Sequence, residues 1–212
     1  MRHDSQMTPE RWSRLMAAWG FPRRHEVFDT LVAAYSESWR HYHTAEHISA
    51  CLQHLDLTTA RLDAPREVEI ALWFHDAIYK PLSHDNELQS ADWATAFMRD
   101  NGAATDATTR VHHLIMATRH RGSAKTRDEA VLVDIDLSIL GTSPPVYARY
   151  ERQIRREYKF VPTFIYREKR VAILRSFLER PRIYTSDCFP DAMEQQAKVN
   201  LQHAIAELAE RR

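Results

Sequence analysis

Apolar residues recur three and four positions apart along most of this chain, the spacing that gathers them on one face of an α-helix. Thr8-Pro9-Glu10 supplies an N-cap, a first-turn proline and an early acid, and predicts a helix that stops near Gly20. Pro22 is read as opening a second helix that runs to about Trp39. A third spans about Thr44 to Thr58, with Ile48, Cys51, Leu52 and Leu55 at helical spacing. Asp63 and Pro65 open a fourth, where Val68, Ala71, Leu72, Phe74 and Ile78 almost encircle the axis, the pattern of a helix at the centre of a fold. Asp85 or Ser83 caps a fifth that ends at Asn101-Gly102. A sixth covers roughly 105–119 and a seventh roughly 127–140, before Gly141. Ser143-Pro144-Pro145 starts a helix to about Tyr158, Pro162-Thr163 another to about Glu179, and the last covers about 190–210.

The expected fold is all-α: one domain over 1–212, with a helical core at about 25–142 wrapped by terminal helices and extended by those of 143–212. The four glycines, Gly20, Gly102, Gly122 and Gly141, each stand at a plausible segment end and are too few for the turns of a sheet-rich protein. Lys plus Arg and Asp plus Glu each number 29, so no net charge draws the chain to nucleic acid or to a membrane surface, although a cleft can keep a potential of its own. Arg149, Arg152, Arg155 and Arg156 read as a solvated helix face. Cys51 and Cys188 are far apart and form no CxxC pattern. No window approaches the roughly 18 apolar residues that cross a bilayer. Met1 to Arg11 lacks the apolar run of a secretory leader, and a cytoplasmic protein is expected.

Twelve histidines exceed what packing requires, and they cluster. His75-Asp76 lies within the apolar run Ala71-Leu72-Trp73-Phe74-His75-Asp76-Ala77-Ile78-Tyr79, read as the middle of the fourth helix. One turn from His75 stand Ala71, Leu72, Ile78 and Tyr79, so the imidazole faces the interior. A buried carboxylate beside it costs several kcal/mol, roughly, without a compensating partner. A divalent cation would compensate; a hydrogen-bonded His-Asp pair with a structural role is the competing reading. Tyr42-His43-Thr44-Ala45-Glu46-His47-Ile48 puts His43 and His47 four apart at a helix start, with Cys51 and His54 on the same stripe and read as packing residues. In Val131-Leu132-Val133-Asp134-Ile135-Asp136-Leu137-Ser138-Ile139-Leu140-Gly141, two acids interrupt an apolar helix. Asp136, flanked one turn away by Leu132, Val133, Ile139 and Leu140, is the better candidate for the buried, compensated carboxylate, with Asp134 as the fallback.

A histidine at a helix start, an adjacent His-Asp on the next core helix and a later Asp on an apolar helix together resemble the H…HD…D signature of the HD superfamily of metal-dependent phosphohydrolases. The wording of the segments, with Asp85-Asn86-Glu87 and Ser90-Ala91 between them, is similar to a bacterial subgroup of predicted phosphohydrolases; the likeness spans about residues 40–141. It implies that His47, His75, Asp76 and Asp136 bind one divalent metal ion (Mn, Mg, Ni, Co, Zn or Fe), with open positions for water and substrate. The implied activity is hydrolysis of a phosphate ester, of a nucleotide or another small phosphorylated metabolite, by metal-activated water. His43 or Glu46 would orient ligands from outside. Lys80, His84, Asp85 and Glu87 surround a helix N-terminus after the HD pair: Glu87 and Asp85 are candidate catalytic residues, against a first-turn acid and a simple cap. His43, Lys80 and Arg119 are candidate substrate contacts.

Two other functions compete. In a binuclear iron oxygenase or phosphodiesterase His113 and His120 would hold a second metal, although a surface or supporting role fits them better. In a non-catalytic regulatory or binding module the metal would only stabilise the fold. Expected partners are a small phosphorylated substrate and a second copy of the chain in a homodimer, with no nucleic acid and no membrane.

Overall fold

The computed structural model describes residues 5–210, so the first four positions of the segment read for a leader lie outside the described residues. Among the described residues there are ten α-helices and no strand, as the periodicity predicts. The helices are α1 (Pro9–Trp19), α2 (His25–Ala34), α3 (Ala45–Thr58), α4 (Pro65–Phe74), α5 (Asn86–Asp100), α6 (Thr105–Ala117), α7 (Arg127–Asp136), α8 (Pro144–Glu157), α9 (Thr163–Leu178) and α10 (Asp191–Glu210). Among the described residues no helix is long and apolar enough to cross a membrane.

The central helix is α4, as its all-round apolar surface requires. Val68, Ile70, Ala71, Leu72, Trp73 and Phe74 are fully buried, and α4 packs against α1, α3, α5, α6 and α7. Trp12 of α1 meets Trp73 edge-on at 5.4 Å and leans on Phe74 and Phe97, so aromatic rings close the core on that side. Thr8 caps α1 by accepting from the amide of Arg11, and Gly20 ends it in the left-handed conformation.

Three helices differ from the pattern at their ends. The second helix starts at His25 rather than Pro22 and stops at Ala34 rather than near Trp39. The Trp12 indole donates to the carbonyls of Arg23 and Arg24, and Arg24 takes a left-handed φ of 50°, which holds that stretch out of the helix. The fourth helix ends at Phe74, so His75 is its C-cap and Asp76 lies in the turn beyond, not in mid-helix. The seventh ends at Asp136 and tightens into a 3-10 turn, Leu137–Gly141. At Gly141 a Cβ would run into Met193, so only glycine lets α10 approach that turn.

The C-terminal helices close over the 3-10 turn. Asn200 of α10 donates to the carbonyls of Leu140 and Thr142, both at 2.8 Å, and Tyr184 donates to that of Leu137. Of the arginines read as a solvated face, Arg149, Arg152 and Arg156 are exposed; Arg155 is half-buried over the Tyr166 ring.

Candidate metal centre

His47 lies in the first turn of α3, His75 and Asp76 at the end of α4, and Asp136 at the last position of α7. Each side chain therefore leaves its helix where the helix begins or stops, and the three segments converge. His47 Nε2 is 3.2 Å from His75 Nε2, 3.2 Å from Asp136 Oδ1 and 3.5 Å from Asp76 Oδ2. His75 Nε2 is 3.3 Å from Asp76 Oδ2 and 3.5 Å from Asp136 Oδ1. Donors held about 2.0–2.2 Å from one ion stand roughly 3.0–3.5 Å apart on neighbouring coordination positions.

The donor chemistry also fits a cation. His75 Nδ1 lies 2.9 Å from the Leu72 carbonyl, which can only accept, so Nδ1 carries a proton and Nε2 can offer its lone pair to the cluster. Burial alone would lower the His75 pKa, but Asp76 and Asp136 raise it well above the usual histidine value. Burial would likewise raise both carboxyls; His75 and His43 hold Asp76 down, and His120, His47 and His75 hold Asp136 well below the ordinary range. Two carboxylates and two imidazoles thus share one point, where protons on the imidazoles or a bound cation would balance the charge.

Cys51 also reaches the cluster. Donor atoms of His47, Cys51, His75 and Asp136 all lie within 4.8 Å of one another, and this buried group could hold a metal ion. The Cys51 Sγ is 3.7 Å from Nε2 and 3.8 Å from Nδ1 of His47, nearly equidistant, so it rests beside the imidazole rather than opposite Nε2. Burial pushes its thiol pKa well up, which keeps it neutral. Of the other residue on that stripe, His54 packs its ring on Phe189, as expected.

No family model, curated protein or solved structure matches the chain. The reading of the centre rests on its own surroundings.

Those surroundings divide the other candidate residues. His120 Nε2 is 3.0 Å from Asp136 Oδ2, which puts it behind the carboxylate rather than within the donor set. It has a left-handed φ of 54°, costing about 1–2 kcal/mol, and Arg180 holds it by donating to its carbonyl at 2.8 Å. His113 is exposed on α6, so the structure does not bring the two together. Asp134, the fallback carboxylate, is more deeply buried than Asp136 but belongs elsewhere: it accepts from the amides of Thr185 and Ser186. Burial therefore ranks the two acids the wrong way round, and direction separates them.

Arg119 gathers the candidates after the HD pair. Its Nε is 3.5 Å from Glu87, its Nη2 is 4.0 Å from Asp85 and donates to the His84 carbonyl, and Nε itself is buried without a hydrogen-bond partner among the described residues. Asp85 holds the N-cap position of α5 but its side chain accepts no capping hydrogen bond, against the cap expected of it. Lys80 is exposed; its backbone pairs with the Asn86 side chain, and among the described residues it has no hydrogen bond or ion pair to the donor cluster. Glu46, the other expected orienting group, pairs instead with Arg149 on the exposed side of α3.

Two buried charged residues escaped the pattern. Arg40 donates to the carbonyls of His43, Asp76 and Ala77, fastening the HD turn to the loop before α3. Glu157 of α8 accepts from the amides of His41, Tyr42 and His43 and from the Tyr79 hydroxyl, and pairs with His43 Nδ1 at 2.7 Å. Glu157 falls three residues after the buried Ile154, so an acid on an apolar stripe was its signal; Arg40 sits in a loop and offered none.

Proposed function

We propose that this chain is a metal-dependent hydrolase of phosphate esters, of the kind the HD superfamily comprises, with one divalent cation held by His47, His75, Asp76 and Asp136. The observation that supports it most is the convergence of four nitrogen and oxygen donors from three separated segments, at spacings suited to one ion. Such an ion, when bound, lowers the pKa of a coordinated water and polarises a phosphate oxygen.

The chain's own groups would do the rest. Asp76 and Asp136 keep side-chain exposures of 19% and 14%, so the cluster opens to solvent on their side. His120 orients Asp136, and the Leu72 carbonyl orients His75, as outer partners of ligands do. Arg119, whose side chain keeps 22% exposure, would take a phosphate oxygen, and Glu87 beside it would order water or protonate the leaving oxygen. The substrate class proposed is a small phosphorylated metabolite.

One observation favours the non-catalytic alternative. The cleft of about 480 Å³ between α3 and α8 reaches the cluster only through Tyr42 and His47, and the metal could serve the fold alone. Elemental analysis of protein purified without chelator separates these readings when joined to turnover. About one metal per chain in the wild type, lost in His75→Ala, together with release of phosphate from a panel of phosphomonoesters, is the expected result. Metal without turnover would favour the stabilising role, two irons per chain the binuclear one, and no metal after incubation with manganese, nickel, zinc and iron would end the ligand assignment.

A further inference from the structure

His43 stands four residues before His47, and its ring is fixed from two sides. Tyr79 stacks on its face, with centroids 4.2 Å apart and planes 27° from parallel. Glu157 Oε2 lies 2.7 Å from Nδ1. The Glu157 carboxylate is fully buried, with Oε1 taking the amides of His41, Tyr42 and His43 at 2.7, 2.7 and 3.1 Å and Oε2 also taking the Tyr79 hydroxyl at 2.8 Å. An ionised carboxylate can only accept, so the proton between the pair sits on Nδ1. Nε2 then points away from Glu157 and makes no hydrogen bond to any described residue, on a ring that is 21% exposed and lies within electrostatic reach of Asp76 and Asp136.

We propose that Glu157 is a positioning residue, which keeps a proton on His43 Nδ1, so that the neutral ring is the Nδ1–H tautomer, and turns Nε2 outward as the atom that contacts a phosphate at the metal centre. The tautomer follows from the hydrogen bonds alone; the phosphate contact rests on the function proposed above. The arrangement follows the logic by which a buried carboxylate sets the tautomer of a reacting imidazole.

The test reads the ring directly. Nitrogen-15 spectra of the metal-free protein, recorded where His43 is neutral, are expected to show the proton on Nδ1. In Glu157→Gln the amide oxygen can keep the three backbone amides while its NH2 group donates to Nδ1, which moves the proton to Nε2. A wild-type Nε2–H tautomer, or a tautomer unchanged in Glu157→Gln, would overturn the proposal; should that variant fail to fold, the wild-type spectrum still decides. Inorganic phosphate titrated into zinc-loaded protein is then expected to shift the Nε2 resonance. His43→Asn, which keeps a donor near Nδ1 only, should bind phosphate about tenfold more weakly at unchanged zinc content, and His43→Gln should recover part of the loss. Unchanged phosphate affinity in His43→Asn would overturn the substrate-facing role. Failure of the wild type to bind zinc would instead strike the metal reading and leave the tautomer result standing.

Discussion

Burial by itself would raise the Glu157 carboxyl, yet the His43 ring and the amides of Tyr42 and His41 pull its pKa down from 4.5 to about 2. A group whose folded pKa is depressed stabilises the fold above its unfolded value and loses that contribution as pH falls through the folded one. The window here runs from about 4.5 down to about 2, and the depression is worth on the order of 3 kcal/mol. Urea midpoints of metal-free wild type and Glu157→Gln at pH 7 and pH 3 check this: the wild type should lose more stability between the two than the variant, and equal losses would show that Glu157 contributes nothing to acid lability. Single residues were unevenly legible in the sequence. His75, Asp76 and Asp136 stood out because each is polar within an apolar stretch, His47 through its spacing from His43 and the resemblance to the H…HD…D signature, and the four do converge. The same signal marked Asp134, whose partners are amides 51 and 52 residues further on, and no local pattern distinguishes an acid bound to amides from one bound to imidazoles.

Helix α4 shows why element types were easier to read than their ends. Its apolar surface announces a core helix, but its last turn is settled by side chains from elsewhere: the Tyr35 hydroxyl donates to the Trp73 carbonyl, and Arg40 takes those of Asp76 and Ala77. Carbonyls capped in this way need no further helical turn, so the chain leaves the helix one residue before the HD pair expected in mid-helix. The second helix loses its expected start for a similar reason, to Trp12, whose indole donates to the carbonyls of Arg23 and Arg24. Arg40→Met keeps much of the buried stem and removes the guanidinium, leaving three carbonyls without their donor. A loss of about 3 kcal/mol is expected, together with weaker metal binding, because the turn bearing Asp76 is no longer fastened. Thermal melts with and without zinc measure both, and a variant as stable as the wild type would refute the assigned role of Arg40.

At the scale of the molecule, an all-helical core with flanking helices was legible, but the way they join was not. Periodicity reports which residues are buried, not which helices bury them. The helices after Thr142 reach back at several points: Glu157 to the loop before α3, Asn200 to the end of the 3-10 turn, and the 185–186 segment to Asp134. A chain ending at residue 142 is therefore expected to lose cooperative unfolding and bind no zinc, as judged by calorimetry. A sharp transition with bound zinc in that fragment would show that the core folds on its own.

Cys51 adds a consequence of a different kind. Oxygen and imidazole donors accept hard and borderline ions, whereas sulfur prefers soft ones. With its thiol beside His47, the centre contains two overlapping donor sets, one completed by the Asp76 carboxylate and one by sulfur. Manganese or magnesium has no use for the second; a soft ion such as cadmium would draw the thiol in as thiolate and loosen the hold on Asp76. The identity of a bound ion would thus fix which side chain is left over, and a soft ion would close the centre with the residue least suited to leaving room for a substrate.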